Sequence, residues 1–205
     1  MKAVLISIQP KWVEKIANRK KTIEVRKTAP KCEVPFKCYI YMTATKERFY
    51  LWEYATAYEN SKGKILDGSQ KVIGEFICDK VFLLHPYTYD RGSADLERRK
   101  FIQTFEGSSK ENEILAATCL TQDEMFDYIG AGNYGYGWHI SDLKIYDKPK
   151  ELSEFKKTKE RIARTCGMQA RNWLCRAIDH EELCDNIKCC FKTPCPPQSW
   201  CYIES

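Results

Sequence analysis

Residues 21 to 26 place a lysine, a threonine, a glutamate and an arginine in close succession. They are Lys21, Thr22, Glu24 and Arg26 in the string K-K-T-I-E-V-R. Ile23 and Val25 alternate with them, the period of a strand. Thr22, Glu24 and Arg26 are then expected on one face and the two aliphatic residues on the other. Arg26 offers a planar fork to a phosphate or a base edge. Lys21 supplies a compact charge, and Glu24 accepts from an amino group or from sugar hydroxyls. A nucleotide-like ligand, or RNA, suits such a set. The same pattern also fits a solvated strand face on which Glu24 merely holds Arg26, a pair worth on the order of 0–1 kcal/mol.

Other candidates surround this group. Gln9 and Trp12 stand just before and within the segment P-K-W-V-E-K-I-A, and Trp138 and His139 lie in Y-G-W-H-I. The two tryptophans offer flat faces for stacking. Acid–base chemistry needs a positioned titratable group, and Glu24, Glu75 and His139 are the candidates for it. Glu75 follows Gly74, where a bulge would turn it inward. A histidine between Trp138 and Ile140 fits a packed strand residue equally well.

These side chains need elements to position them. Val4 to Ile8 reads as a buried strand. Pro10 suits a first helical position, and Trp12, Val13, Ile16 and Ala17 recur at helical spacing up to Asn18. Strands are expected at 22–26, 36–43, 71–84 and 134–146. Thr121 and Glu124 make a capping box for a helix ending near Tyr128, with Gly130 as its stop. Residues 45–70, with Trp52, Tyr54 and Tyr58, fit either a short helix or a hairpin. Residues 85–117 are polar and charged and read as an insertion. No βαβ alternation and no glycine-rich phosphate loop is present.

The string K-K-T-I-E-V-R, after a short helix and an I-S-I-x-P-x-W strand end, resembles the hallmark of the ASCH family. V-I-G-E-F at 72–76, Y-G-W-H-I at 136–140, K-P-K-E-L-S-E-F at 148–155 and P-P-Q-S-W-C-Y at 196–202 resemble later segments of phage and Firmicutes members. The resemblance implies an α+β fold, a PUA-like β-barrel plugged by short helices, with a cleft beside the first helix that binds RNA or a modified nucleotide. It also implies an alternative, a hydrolase acting on an acetylated cytidine or on RNA through a lysine, a threonine and a distant glutamate. Lys21 matches that lysine. Glu24 occupies the position of the threonine, and Thr22 replaces it only if it faces the cleft. Lys21, Thr22, Glu24 and Glu75 are the catalytic candidates on that reading. A phage-encoded interaction protein acting on a host factor is the third reading.

The barrel is expected over residues 1–155. Residues 156–205 form a basic, cysteine-rich extension whose last segment returns to it. Seven of the 11 cysteines fall there. Structural zinc on Cys166, Cys175, Cys184 and Cys189 or Cys190 is one expectation, although four-residue gaps suit a zinc knuckle poorly. Free thiols and disulfides are the others. The charge of +5, from 33 basic and 28 acidic residues, permits phosphate contact without demanding it. The run from Val4 to Ile8 is too short for a signal-peptide core or a span, so a cytoplasmic protein is expected.

Overall fold

A computed structural model describes residues 2–44, 49–51, 64–66, 68–89, 99–104, 111–155 and 196–204. The fold is mixed α+β, with two main sheets, three α-helices and a short 3-10 helix (Leu152–Glu154) among the described residues. β1 (Lys2–Ile8), β3 (Phe36–Met42), β6 (Val72–Cys78), β10 (Ser141–Lys150) and β11 (Trp200–Glu204) form a five-stranded sheet in the order β10-β6-β3-β1-β11. β2 (Ile23–Arg26), β7 (Val81–Tyr89), β8 (Arg99–Thr104) and β9 (Gly135–His139) form a four-stranded sheet in the order β2-β9-β7-β8. β4 (Phe49–Leu51) and β5 (Lys64–Leu66) pair antiparallel in a two-stranded sheet. The closed barrel expected from the sequence is not formed. No ladder joins the two main sheets among the described residues, and each keeps two edges.

Alternation along the strands decides what each face buries. Val4, Ile6 and Ile8 of β1 stand in register with Cys38, Ile40 and Met42 of the parallel β3. They meet Trp138 of the other sheet in one core, which also receives Val13, Ile16 and Ala17. Those three come from α1 (Pro10–Ala17), which opens on its proline and ends at Asn18. Burial of aliphatic side chains of this size stabilises by about 1.5–3 kcal/mol each. The opposite face of the five-stranded sheet buries Ala3, Leu5, Tyr41, Val72, Tyr146 and Ile203.

α2 (Glu111–Thr118) and α3 (Gln122–Ile129) cover the outer face of the four-stranded sheet. Ile114, Met125, Phe126 and Ile129 pack there on Ile23, Val25, Phe82 and Leu84. α3 begins with the expected capping box. Thr121 accepts from the Glu124 amide, and the Glu124 carboxylate accepts from the Thr121 amide.

Two expected strands prove to be two each. The run 71–84 breaks at Asp79–Lys80 and the run 134–146 breaks at Ile140, because at each point the chain passes from one sheet to the other. The breaks are neighbours in space. Trp138 pairs with Val81, Ser141 pairs with Ile77, and His139 Nδ1 lies 2.6 Å from Asp79 Oδ1. Gly74 marks a close approach: a Cβ there would lie 2.5 Å from the Lys144 carbonyl oxygen. The stretch 85–117 supplies the end of β7, all of β8 and most of α2, so its described residues are integral to the second sheet and its helical cover. Trp52, Tyr54 and Tyr58 lie outside the described residues, as do Cys166, Cys175, Cys184, Cys189 and Cys190. Among the described residues, no group of histidine, cysteine or acidic side chains could hold a metal ion, and no helix is long and apolar enough to cross a membrane.

Candidate functional site

β2 runs along the edge of the four-stranded sheet, and its pairing with β9 sets the direction of its side chains. Glu24 stands opposite Trp138 and Arg26 opposite Tyr136, so these residues face the first sheet. Ile23 stands opposite His139 and faces the helices instead. The strict alternation of the sequence therefore carries two charged side chains into the interior. Glu24 is 5% exposed, Arg26 7% and Lys21, just before the strand, 2%.

Three charges buried together demand partners, since an isolated buried ion is costly. Glu24 is the partner that Lys21 and Arg26 share. Its Oε1 lies 2.9 Å from Arg26 Nη2, and its Oε2 lies 3.5 Å from Lys21 Nζ. Arg26 Nη2 also donates to the Ser7 carbonyl at 2.7 Å, and Nη1 reaches Ser199 Oγ at 3.4 Å. Lys21 Nζ donates to the Thr118 carbonyl at 2.6 Å, in the last turn of α2. Glu24 Oε2 and Arg26 Nε have no hydrogen-bond partner among the described residues. At 3.5 Å, Lys21 gives Oε2 an electrostatic contact rather than a well-formed hydrogen bond. Burial pushes the Lys21 pKa below its ordinary value, and Glu24 pulls it back only in part.

These side chains line a cleft of about 340 Å³. Gln9 and Trp12 approach from the start of α1, Leu120 and Tyr128 from around α3, and Gln198 and Ser199 from the segment leading into β11. That volume lies within the range of small-ligand pockets. The C-terminal wall is fixed to β1: the Ser7 amide donates to the Ser199 carbonyl at 2.8 Å, and Ser7 Oγ donates to the Pro197 carbonyl at 2.6 Å. Trp12 carries three ammonium groups near its ring. Lys11, Lys15 and Lys21 Nζ lie 4.3, 5.0 and 5.2 Å from its centroid.

The structure gathers Gln9, Trp12, Lys21, Glu24 and Arg26 from the sequence candidates. It does not gather the others. Thr22 precedes the strand, does not line the cleft, and joins the backbone bonding through Ala117 and Ile140. Trp138 is wholly buried, edge-on to Phe36 and Trp200, so it is a core residue rather than a stacking surface. His139 faces the other side of its sheet, against Phe82 and Asp79. Glu75 stands opposite Tyr39 on the far face of the five-stranded sheet, where it pairs with Lys37 at 3.2 Å and Tyr146 at 2.5 Å. The register shift on β6 falls between Gly74 and Val72, so it does not turn Glu75 inward. Sequence reasoning missed Ser7, Thr43, Leu120, Tyr128, Gln198 and Ser199. Ser7 and the P-P-Q-S run stood in segments already singled out, but nothing local shows that β1 and the C-terminus meet.

No protein-family model matches the chain, and no curated protein does. Among solved structures it is similar to ASCH from Zymomonas mobilis, with a TM-score of 0.49 and 13% identity over 98% of this chain and 87% of that one. A mutant form of the same bacterial protein gives a TM-score of 0.48 and 14% identity, over 100% of this chain and 91% of the other.

Proposed function

We propose that the chain binds RNA or a nucleotide-like ligand in the cleft between α1, β2 and the C-terminal segment. The observation that carries this reading is the combination of Trp12 with the buried Lys21–Glu24–Arg26 group on one cleft of nucleoside size. Trp12 offers stacking, worth about 1–3 kcal/mol per base. The charged group and the polar side chains of Gln9, Gln198 and Ser199 offer hydrogen bonds that fix orientation. The resemblance of residues 19–26 to the ASCH hallmark supports the same ligand class. Anisotropy titration of labelled single-stranded RNA and of free nucleotides tests it. Trp12→Ala should weaken binding about fivefold or more, and binding should fall with salt. Unchanged affinity for every RNA and nucleotide after Trp12→Ala removes the reading.

A hydrolase acting on an acetylated cytidine or on RNA is the second reading, and the lowered pKa of Lys21 favours it. A buried lysine of that kind suits proton transfer. The nucleophile is its weak point, because Thr22 does not line the cleft and the Ser7 hydroxyl donates to Pro197. Turnover of acetylated cytidine or RNA that Lys21→Ala abolishes supports it, and folded protein that turns over neither rules it out.

A further inference from the structure

The floor of the cleft is charged, yet its arrangement does not suit an anion. Lys21 and Arg26 are both cations, but Glu24 stands between them and is paired to each. An anion touching both would have to abut the Glu24 carboxylate in a buried site, where like charges repel with little screening. The strongest donors are also engaged already, Lys21 with the Thr118 carbonyl and Arg26 with the Ser7 carbonyl.

Two buried atoms of the floor stand out, one acceptor and one donor. Glu24 Oε2 and Arg26 Nε belong to the same ion pair, sit on side chains more than nine-tenths buried, and have no hydrogen-bond partner among the described residues. Buried polar atoms left so are rare and each costs about as much as a lost hydrogen bond. A ligand edge carrying a donor beside an acceptor satisfies both. Nucleobases present such an amide-like edge; a fully ionised phosphate ester, with acceptors alone, leaves Oε2 unmatched. Both atoms lie beneath the cleft surface, so an incoming edge must shift a wall side chain. The Ser199 side chain can shift at small cost, since its contact to Arg26 Nη1 is a long 3.4 Å.

Positive charge also gathers beside Trp12, away from Glu24. Lys11 and Lys15 hold their ammonium groups 4.3 and 5.0 Å from its ring, and Lys11 is tied only loosely to Glu124, at 3.9 Å. We infer that a nucleotide enters base-first, its donor–acceptor edge against Glu24 and Arg26 and its phosphate at Lys11 and Lys15 beside Trp12. This rests on the nucleotide reading above and assigns the two ends of the site within it.

Calorimetric titration of the full chain with the four common nucleosides, their 5′-monophosphates, ribose 5-phosphate and inorganic phosphate tests the orientation. At least one nucleoside should bind, and its monophosphate should bind about fivefold more tightly, as contacts to an exposed and a half-buried lysine allow. Lys11→Ala with Lys15→Ala should remove that gain and leave the nucleoside affinity within twofold. The orientation is overturned if inorganic phosphate or ribose 5-phosphate competes as well as the nucleotide, or if the double variant weakens nucleoside and nucleotide alike. Binding of none of the nucleosides or nucleotides overturns the orientation, and RNA binding in the anisotropy titration then decides the reading it rests on.

Discussion

Glu24 and Arg26 lie two residues apart on one strand, and their carboxylate and guanidinium meet at 2.9 Å with both side chains buried. The pair is therefore unlike the solvated strand pair that the same spacing allows. Removing one member of a buried pair leaves an uncompensated charge and costs about 3–5 kcal/mol. Glu24→Gln should lower stability by that order, because it leaves Lys21 and Arg26 facing each other. The control is Glu151→Gln, which breaks a Lys71–Glu151 pair of similar length at an exposed site and should cost no more than about 1 kcal/mol. Urea denaturation of both variants decides the matter; equal midpoints would mean that burial adds nothing.

Lys21 gives the pH dependence its sign. Burial holds its folded pKa below the ordinary value of 10.5, so the unfolded chain binds more protons than the folded one between the two pKa values. Stability must rise with pH across that window. Below the folded pKa the full penalty of the buried ammonium is present, and above the unfolded pKa it is gone. Lys21→Met removes the titrating group at similar volume. It should leave stability at neutral pH unchanged or slightly raised, and the wild type should gain on it as pH climbs towards 10.5. Melting curves of both proteins from pH 7 to 11 show this; a wild type that loses ground to the variant as pH rises would reverse the sign.

The legible parts of the fold are those set by local period and local chemistry. Pro10 and the 3.6-residue spacing place α1, and the Thr121–Glu124 box places α3, because a helix is specified within its own turns. Period-two alternation likewise puts Glu24 and Arg26 on one face. The illegible parts depend on distant segments. The apolar runs around Asp79 and Ile140 stay strand-like on both sides, so nothing in them announces that the chain changes sheets there. Trp138 reads as a stacking residue until its pairing opposite Glu24 shows that it fills the space between sheets. Ser199 enters the cleft only because β11 pairs with β1 almost two hundred residues earlier in the chain.

Gly74 is required by that packing rather than by its own backbone angles. Any side chain there meets the backbone of β10, with the Lys144 oxygen 2.5 Å from the added carbon and Ile145 Cα at 3.2 Å. Backbone atoms of a paired strand cannot step aside as a flexible side chain does. Gly74→Ala should cost about 1–3 kcal/mol, the usual range for overpacking. The expected sign is opposite to the small gain that glycine-to-alanine replacement brings at compatible sites. A variant that melts at or above the wild-type temperature would show that β10 can move away freely.

The C-terminal strand couples the fold to the cleft. β11 covers the outer edge of β1 in antiparallel register from Lys2–Glu204 to Ile6–Trp200, and it buries Cys201 and Ile203. The segment before it supplies Gln198 and Ser199 to the cleft wall. Truncation of Ile203 to alanine should cost about 2–5 kcal/mol, as for other buried aliphatic residues. It acts on the far face of the sheet and touches no cleft residue. Its effect on ligand affinity should therefore come only through a looser β11, appearing near the melting transition and not well below it. Deleting residues 196–205 should do more. It uncovers the β1 edge, which invites association between chains, and it removes one cleft wall. Light scattering and RNA titration on both proteins separate the two effects. If the deleted form stays monodisperse and binds RNA as the full chain does, neither the edge nor the wall has the role assigned to it.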